Sequence, residues 1–332
     1  MLIAELRELL KKYNEDDLRR IISEMYKAMP KKIREEKDID VLIQDVHSLM
    51  SNGKRNAMKV KPLNIERLTF EIEEFIDYAY MQYYLTPNQF VHKKDRPKWR
   101  FKVKGYIKDL QGISIATNEG EKATELLQKL YEVLSYACGY SLFNTDNPFK
   151  SVGIAQVELL DIVIKRKIAS EINQEVLKST VKMVIMSEVD RETLHTYLIQ
   201  ILIMNLKSTD SKMMAIDQCK LLKREIDKSI LTSSKKSWDY HTFKLKEQSN
   251  NLVEMIFRIQ LELYEYDEAI KYYNKNYLQT DDEVKLYILL RLLLEYDLMD
   301  RWIVEYESAL KKGIEPREVL QRDYQKIQEM MK

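Results

Sequence analysis

Arg258-Ile259-Gln260-Leu261-Glu262-Leu263-Tyr264-Glu265-Tyr266-Asp267-Glu268-Ala269-Ile270-Lys271-Tyr272-Tyr273 is followed, 33 positions later, by Arg291-Leu292-Leu293-Leu294-Glu295-Tyr296-Asp297-Leu298-Met299-Asp300-Arg301-Trp302-Ile303-Val304-Glu305-Tyr306. Arg258 aligns with Arg291, Leu261 with Leu294, Glu262 with Glu295, Asp267 with Asp300, Ile270 with Ile303 and Tyr273 with Tyr306. Each copy reads as a helix, a tight turn at the aspartate and a second helix. Units of this kind contact mainly their neighbours, so the spacing predicts a stack of helical hairpins.

Composition agrees with helices throughout. Seven Gly and six Pro in 332 residues are far fewer than an ordinary chain carries, and turn-rich β and α/β folds need both. The fold class expected is all-α: a helical-hairpin solenoid preceded by an N-terminal helical domain. Any strand is confined to Trp99–Tyr106.

Tyr266 to Tyr273 resembles the start of the second helix of a tetratricopeptide repeat, a family with a period of about 34 residues. Ala269 takes the place of that family's small residue and Tyr273 that of the aromatic one turn later. Phe257 and Leu290 stand where a small residue belongs in the first helix, and Trp302 replaces Ala269 in the second copy. The resemblance spans residues 250–312. It implies a peptide-responsive regulator or an assembly adaptor, and no helix-turn-helix signature near the N-terminus favours the regulator.

Working towards the N-terminus, apolar residues fall at helical spacing almost everywhere. Leu2, Ile3, Leu6, Leu9 and Leu10 form one stripe; Asn14 reads as a helix cap with Asp17 three positions on, and Leu18, Ile21, Ile22 and Met25 form the next. Further helices are expected over 38–50, 64–85 and 121–137, with Gly53 and Thr86-Pro87 as stops. Pro87, Pro97, Gly105, Gly112 and Gly120 crowd the interval 86–120, and loop residues recur over 139–153. These shifts give an N-terminal helical domain over 1–90, a basic connecting segment over 91–120 and a helical-repeat array over 121–332. Within the array, breaks are expected near Asn173, Asp190, Thr209, Ser233, Asp267, Asp281, Asp300 and Pro316.

Charge and apolar runs restrict the function. Lys plus Arg number 54 and Asp plus Glu 53, so no global field draws the chain to nucleic acid or an anionic membrane. The longest apolar runs, Tyr197–Leu206 and Leu286–Leu294, fall well short of the roughly 18 residues of a membrane helix. The start of the chain alternates acids and bases and does not resemble a signal peptide, and Cys138 and Cys219 lack CxxC spacing. A reduced, cytoplasmic protein with no membrane partner is expected.

The most function-like stretch is 92–108, with eight Lys or Arg against the single acid Asp95. Lys94, Arg96, Lys98, Arg100, Lys102 and Lys104, together with Lys59 and Lys61 of the 54–61 run, form a candidate anion or nucleic-acid surface. Trp99 is its candidate base-stacking ring, with Phe101 and Tyr106 interleaved. The same pattern also describes core anchors beneath a solvated lysine face. From 262 to 307, twelve acids face five bases, so the array is acidic. Tyr266, Tyr273, Tyr287 and Tyr306 are candidates for a partner groove, since tyrosine supplies contact area at small entropic loss.

Catalytic signals are weak. His47, His92, His195 and His241 are scattered, with no HExxH pair. Glu192 and His195 form one Glu-x-x-His pair where a bundle di-iron site needs two. Glu71, Glu73, Glu74 and Asp77 read as a solvated face. No catalytic, metal or cofactor site is assigned. The expected function is a non-catalytic cytoplasmic interaction protein presenting a groove to a peptide or protein partner, the alternative being a nucleic-acid-associated protein that uses 54–61 and 92–108.

Overall fold

In the computed structural model, residues 3–30, 33, 34, 39, 43, 64–87, 90–233 and 240–330 are described. Their regular structure is fifteen α-helices and one short 3-10 turn, and no strand occurs among the described residues. The chain divides into two compact units, Met1–Leu63 and Asn64–Lys332.

In the first unit, α1 (Ile3–Leu10) and α2 (Glu15–Ala28) are joined at Asn14. Its Oδ1 accepts the Asp17 backbone N–H at 2.9 Å, the cap read from the sequence. The helix expected over 38–50 falls largely outside the described residues, as do His47, Lys54, Arg55, Lys59 and Lys61.

The second unit opens with α3 (Ile65–Tyr80), capped by Asn64 through Arg67 N at 2.9 Å. A 3-10 turn, Arg96–Lys98, then leads into α4 (Trp99–Gln111). The basic segment, the one place left open to a strand, is therefore helical. Phe101 explains why: a strand would place it beside Trp99 and Val103, whereas in the helix it lies opposite them and is 64% exposed. Trp99, Val103, Ile107 and Leu110 form the buried stripe.

Next come α5 (Asn118–Gly139), α6 (Pro148–Val152), α7 (Gln156–Ser170), α8 (Gln174–Met186), α9 (His195–Asn205) and α10 (Thr209–Ser233). The last five are α11 (Tyr240–Glu262), α12 (Tyr266–Asn276), α13 (Asp282–Glu295), α14 (Met299–Lys311) and α15 (Glu318–Met330). α5 packs against α3, α4, α6 and α7; α11 packs against α8, α9, α10 and α12; α14 packs against α13 and α15. Helix 99–111 thus belongs to the same compact unit as the helices that follow it.

Arg166 of α7 fixes the α4–α5 connection from within. It is 7% exposed and donates to the Ile113 carbonyl through both terminal nitrogens, at 3.1 and 3.0 Å, and to Thr124 Oγ1 through Nε at 3.1 Å. Gly120 permits the tight return of the chain there, since a Cβ on it would stand 2.3 Å from the Ser114 carbonyl oxygen.

Scarce glycine does not remove left-handed helix ends. Gln82, Gly153, Tyr264, Asp297 and Gly313 have φ of 58, 83, 64, 55 and 78°. Each follows a helix, and the next residue's N–H bonds back five positions: Tyr83 to Tyr78, Ile154 to Phe149, Glu265 to Gln260, Leu298 to Leu293 and Ile314 to Ala309. Tyr264 and Asp297 are 33 positions apart, and so are the bonds that follow, Ala269 N to Glu265 O and Trp302 N to Leu298 O, both 2.9 Å. Beneath these turns Ala269, Tyr273, Trp302 and Tyr306 share one apolar cluster with Phe257 and Leu290.

Candidate functional site

The sequence-predicted basic strip forms two different surfaces once α4 is helical. Lys93, Arg96 and Arg100 line a cleft of about 260 Å³, together with Tyr84, Thr86, Pro97, Trp99 and the loop residues Asn144, Thr145 and Ser151. No acid is among these lining residues. Trp99 is 5% exposed and stacks on Phe143 at 3.9 Å, so it is a wall anchored in the core and its faces are not open to a base. In the loop that lines the cleft, Asn147 caps α6 through Lys150 N at 3.0 Å and Thr145 Oγ1 lies 3.0 Å from Ser151 Oγ, while Arg96 Nε donates to the Val91 carbonyl at 2.9 Å.

The other predicted cations lie elsewhere. Lys98 pairs with Asp95 at 2.7 Å, and that bond holds the Asp95 carboxyl below its ordinary value. Lys94, Lys102 and Lys104 are exposed and do not line the cleft.

The predicted tyrosine set is built differently from a groove. Tyr273 is fully buried and donates its hydroxyl to the Lys285 carbonyl at 3.1 Å; Tyr306 is 4% exposed and stacks between Trp302 and Tyr324. Tyr266 and Tyr287 are half-buried, each under a guanidinium, Arg301 at 4.7 Å and Arg317 at 4.2 Å. Packing consumes Tyr273 and Tyr306, which lie 33 positions apart in one apolar cluster, while Tyr266 and Tyr287 pack against its edge. The acidic excess is also partly met internally: Glu262 pairs with Lys212, Asp267 with Arg301, Glu283 with Arg317 and Glu295 with Arg258.

A groove that the sequence reading missed runs between α5, α8 and the start of α11, with a volume of about 490 Å³. Tyr80, Tyr136 and Tyr140 are 49%, 39% and 43% exposed there. Tyr136 stacks on Tyr140 at 4.3 Å and meets Tyr80 edge-on at 5.4 Å. Met183 and Met186 add apolar lining, and Glu132, Lys182, Glu188 and Lys244 supply charges of both signs.

One wall of the groove is an irregular segment pinned by buried polar groups. Ser135 Oγ and Gln156 Nε2 both donate to the Glu188 carbonyl, at 3.0 and 2.7 Å, and Gln156 Oε1 accepts the Asp190 N–H at 2.9 Å. Tyr131 Oη lies 2.9 Å from Ser187 Oγ, and burial pushes that phenol up to about 12. Glu188 is thereby presented to Lys244, which bonds it and sits 5.8 Å over the Tyr140 ring. The sequence signal was the i, i+4 spacing of Tyr136 and Tyr140. Tyr80 lies on a distant helix that only the fold brings close.

The remaining candidates for chemistry are engaged in packing or surface pairs. Glu192 pairs with Lys150 and Glu71 with Arg67, while Glu73 pairs with Lys129. Burial pushes the Cys138 thiol up to about 12 and raises that of Cys219 further. Among the described residues, no group of three or more His, Cys, Asp or Glu side chains is placed to hold a metal ion. None of their helices is long and apolar enough to cross a membrane.

Comparison with protein-family models, with curated proteins and with solved structures found no match.

Proposed function

We propose that the protein is a non-catalytic interaction protein that takes a segment of a protein partner into the groove formed by Tyr80, Tyr136 and Tyr140. The observation that carries this reading is the half-exposed tyrosine trio set, with two methionines, in a groove of mixed polarity whose wall is held by buried hydrogen bonds. Rigid aromatic rings with wet edges supply contact area at little entropic loss, and pinned walls reduce the ordering needed on binding. Charges of both signs on the rim suit a segment with an apolar anchor between polar residues.

The reading of the C-terminal helices as hairpins of a tetratricopeptide-like array belongs to the same proposal. Its support is the pair of left-handed turns at Tyr264 and Asp297, with identical hydrogen-bond registers 33 positions apart. In that arrangement the C-terminal hairpins extend the scaffold, and a cytoplasmic location follows from the unpaired cysteines of the sequence reading.

A peptide-display selection against the unaltered protein tests the function. Selected peptides should lose at least about tenfold in affinity when Tyr136→Ala and Tyr140→Ala are combined, as central aromatic anchors do. Peptides that bind the double variant equally well, or a selection that enriches none, would overturn the proposal.

A further inference from the structure

Helical register sorts the outer side of α4 into three neighbouring lines. Trp99, Val103, Ile107 and Leu110 face the core, so Phe101, Gly105 and Asp109 run along the middle of the opposite side. Arg100, Lys104 and Lys108 form one flank, and Lys98 and Lys102 the other; all five are exposed. Every charged i, i+4 pair here is like-charged: Lys98 with Lys102, Arg100 with Lys104, and Lys104 with Lys108. Several other helices place opposite charges at this spacing, pairing Arg19 with Glu15, Arg67 with Glu71 and Lys165 with Asp161. The acids on α4 or next to it are Asp95, held by Lys98 at 2.7 Å, and Asp109 at the far end of the middle line. Like charges at i, i+4 disfavour a helix, and a polyanion laid along the flanks removes that repulsion.

We propose that this outer face of α4 binds single-stranded nucleic acid, with Phe101 stacked on a base and Arg100, Lys104 and Lys108 on the phosphates. Trp99, the ring that the sequence suggests, is committed to Phe143. Phe101 takes its place: it is 64% exposed, with the Arg100 guanidinium 5.0 Å from its centroid. Gly105 explains why the ring stays open. A helical side chain leans back over the preceding turn, so any residue larger than glycine at 105 would cover Phe101. Packing gives no other reason for this glycine, since a Cβ on it would meet nothing within 4 Å and glycine weakens a helix interior. An exposed ring between cationic flanks suits unpaired bases, whereas the bases of a duplex are already stacked. A bilayer would need an apolar stripe, which α4 turns towards the core. The face shares no residue with the tyrosine groove, so neither reading depends on the other.

Fluorescence anisotropy of the full chain with labelled oligothymidylate, oligouridylate and a short duplex tests the face, each at low and at physiological salt. A single strand should bind, less tightly as salt rises, and the better of the two strands names the sugar. Phe101→Ala should weaken binding by about fivefold or more, the loss of one stacked base. Lys104→Glu combined with Lys108→Glu should weaken it by about tenfold or more and flatten the salt dependence. Gly105→Leu should also weaken it without lowering the melting temperature, which separates an obstructed ring from an unfolded helix. Lys271→Glu combined with Lys275→Glu, exposed on α12, makes the same change in net charge and should leave binding intact. Four outcomes would overturn the proposal: no binding to either strand at low salt, equal binding by Phe101→Ala, a duplex bound as tightly as a strand, or polyglutamate displacing the strand as well as unlabelled oligothymidylate does. The last would assign the face to an acidic protein segment.

Discussion

Arg258 of α11 and Glu295 at the end of α13 form a 2.8 Å ion pair that ties these two helices together. The guanidinium is 2% exposed and also bonds Glu254 through Nε at 2.8 Å, whereas Glu295 is 47% exposed. The two partners therefore contribute unequally. Arg258→Ala leaves the Glu254 carboxylate, 16% exposed, with Thr196 Oγ1 as its remaining hydrogen-bond donor. That substitution should cost about 3 kcal/mol, the range for breaking a buried pair from one side. Glu295→Gln should cost less than about 1 kcal/mol, because its partner keeps Glu254 and its own side faces water. Urea denaturation of the two variants measures both, and equal losses would contradict the asymmetry.

Two helical glycines should respond to alanine in opposite directions. Gly105, inside α4, would place a Cβ in open space, so Gly105→Ala should stabilise by about 0.5–1 kcal/mol through helix propensity. Gly120 lies in the first turn of α5, where a Cβ would meet the Ser114 and Ile115 carbonyl oxygens at 2.3 and 2.6 Å. Gly120→Ala must push back backbone that Arg166 holds, at a cost of about 1–3 kcal/mol. Thermal melts of the two single variants decide the matter by sign alone.

His195 gives the fold a pH dependence. Its Nε2 is enclosed without a hydrogen-bond partner, and burial lowers the imidazole to about 4 despite a bond to the Val184 backbone. Because the folded value lies below the unfolded 6.5, the unfolded chain takes up the proton first as pH falls. This contribution is full above pH 6.5 and is lost progressively between 6.5 and about 4, by roughly 2–3 kcal/mol. His195→Gln should flatten the stability profile across that window. Chemical denaturation at pH 7 and at pH 4.5 measures the difference, which an unchanged slope would refute.

Much of the helical architecture was legible in the chain because its determinants are local. Asn14, Asn64, Asn173 and Asp281 act as caps through hydrogen bonds to residues two or three positions on, and the 3.6-residue apolar stripe marks each helix face. Left-handed turns occur at Tyr264 and Asp297, a few residues before the aspartates at which the sequence places them. The basic strip was read as possible strand because Lys98 to Lys104 alternates charge and apolar character, and only burial of Ile107 and Leu110 on the Trp99 face settles the period.

What tertiary structure alone decided is which side chains remain open to a partner. The sequence determined that tyrosines and cations cluster along the chain; it did not determine whether a ring fills a core, as Tyr273 does, or edges a groove, as Tyr136 does. That choice depends on residues more than forty positions apart: Tyr80 meets Tyr136 only where α3 lies on α5, and Trp99 meets Phe143 only where α4 folds over the loop after α5. Periodicity specifies the direction of a side chain relative to its own helix, a short-range property of the backbone. The partner across the interface is set by packing of the whole unit, which buries one tyrosine and leaves another wet.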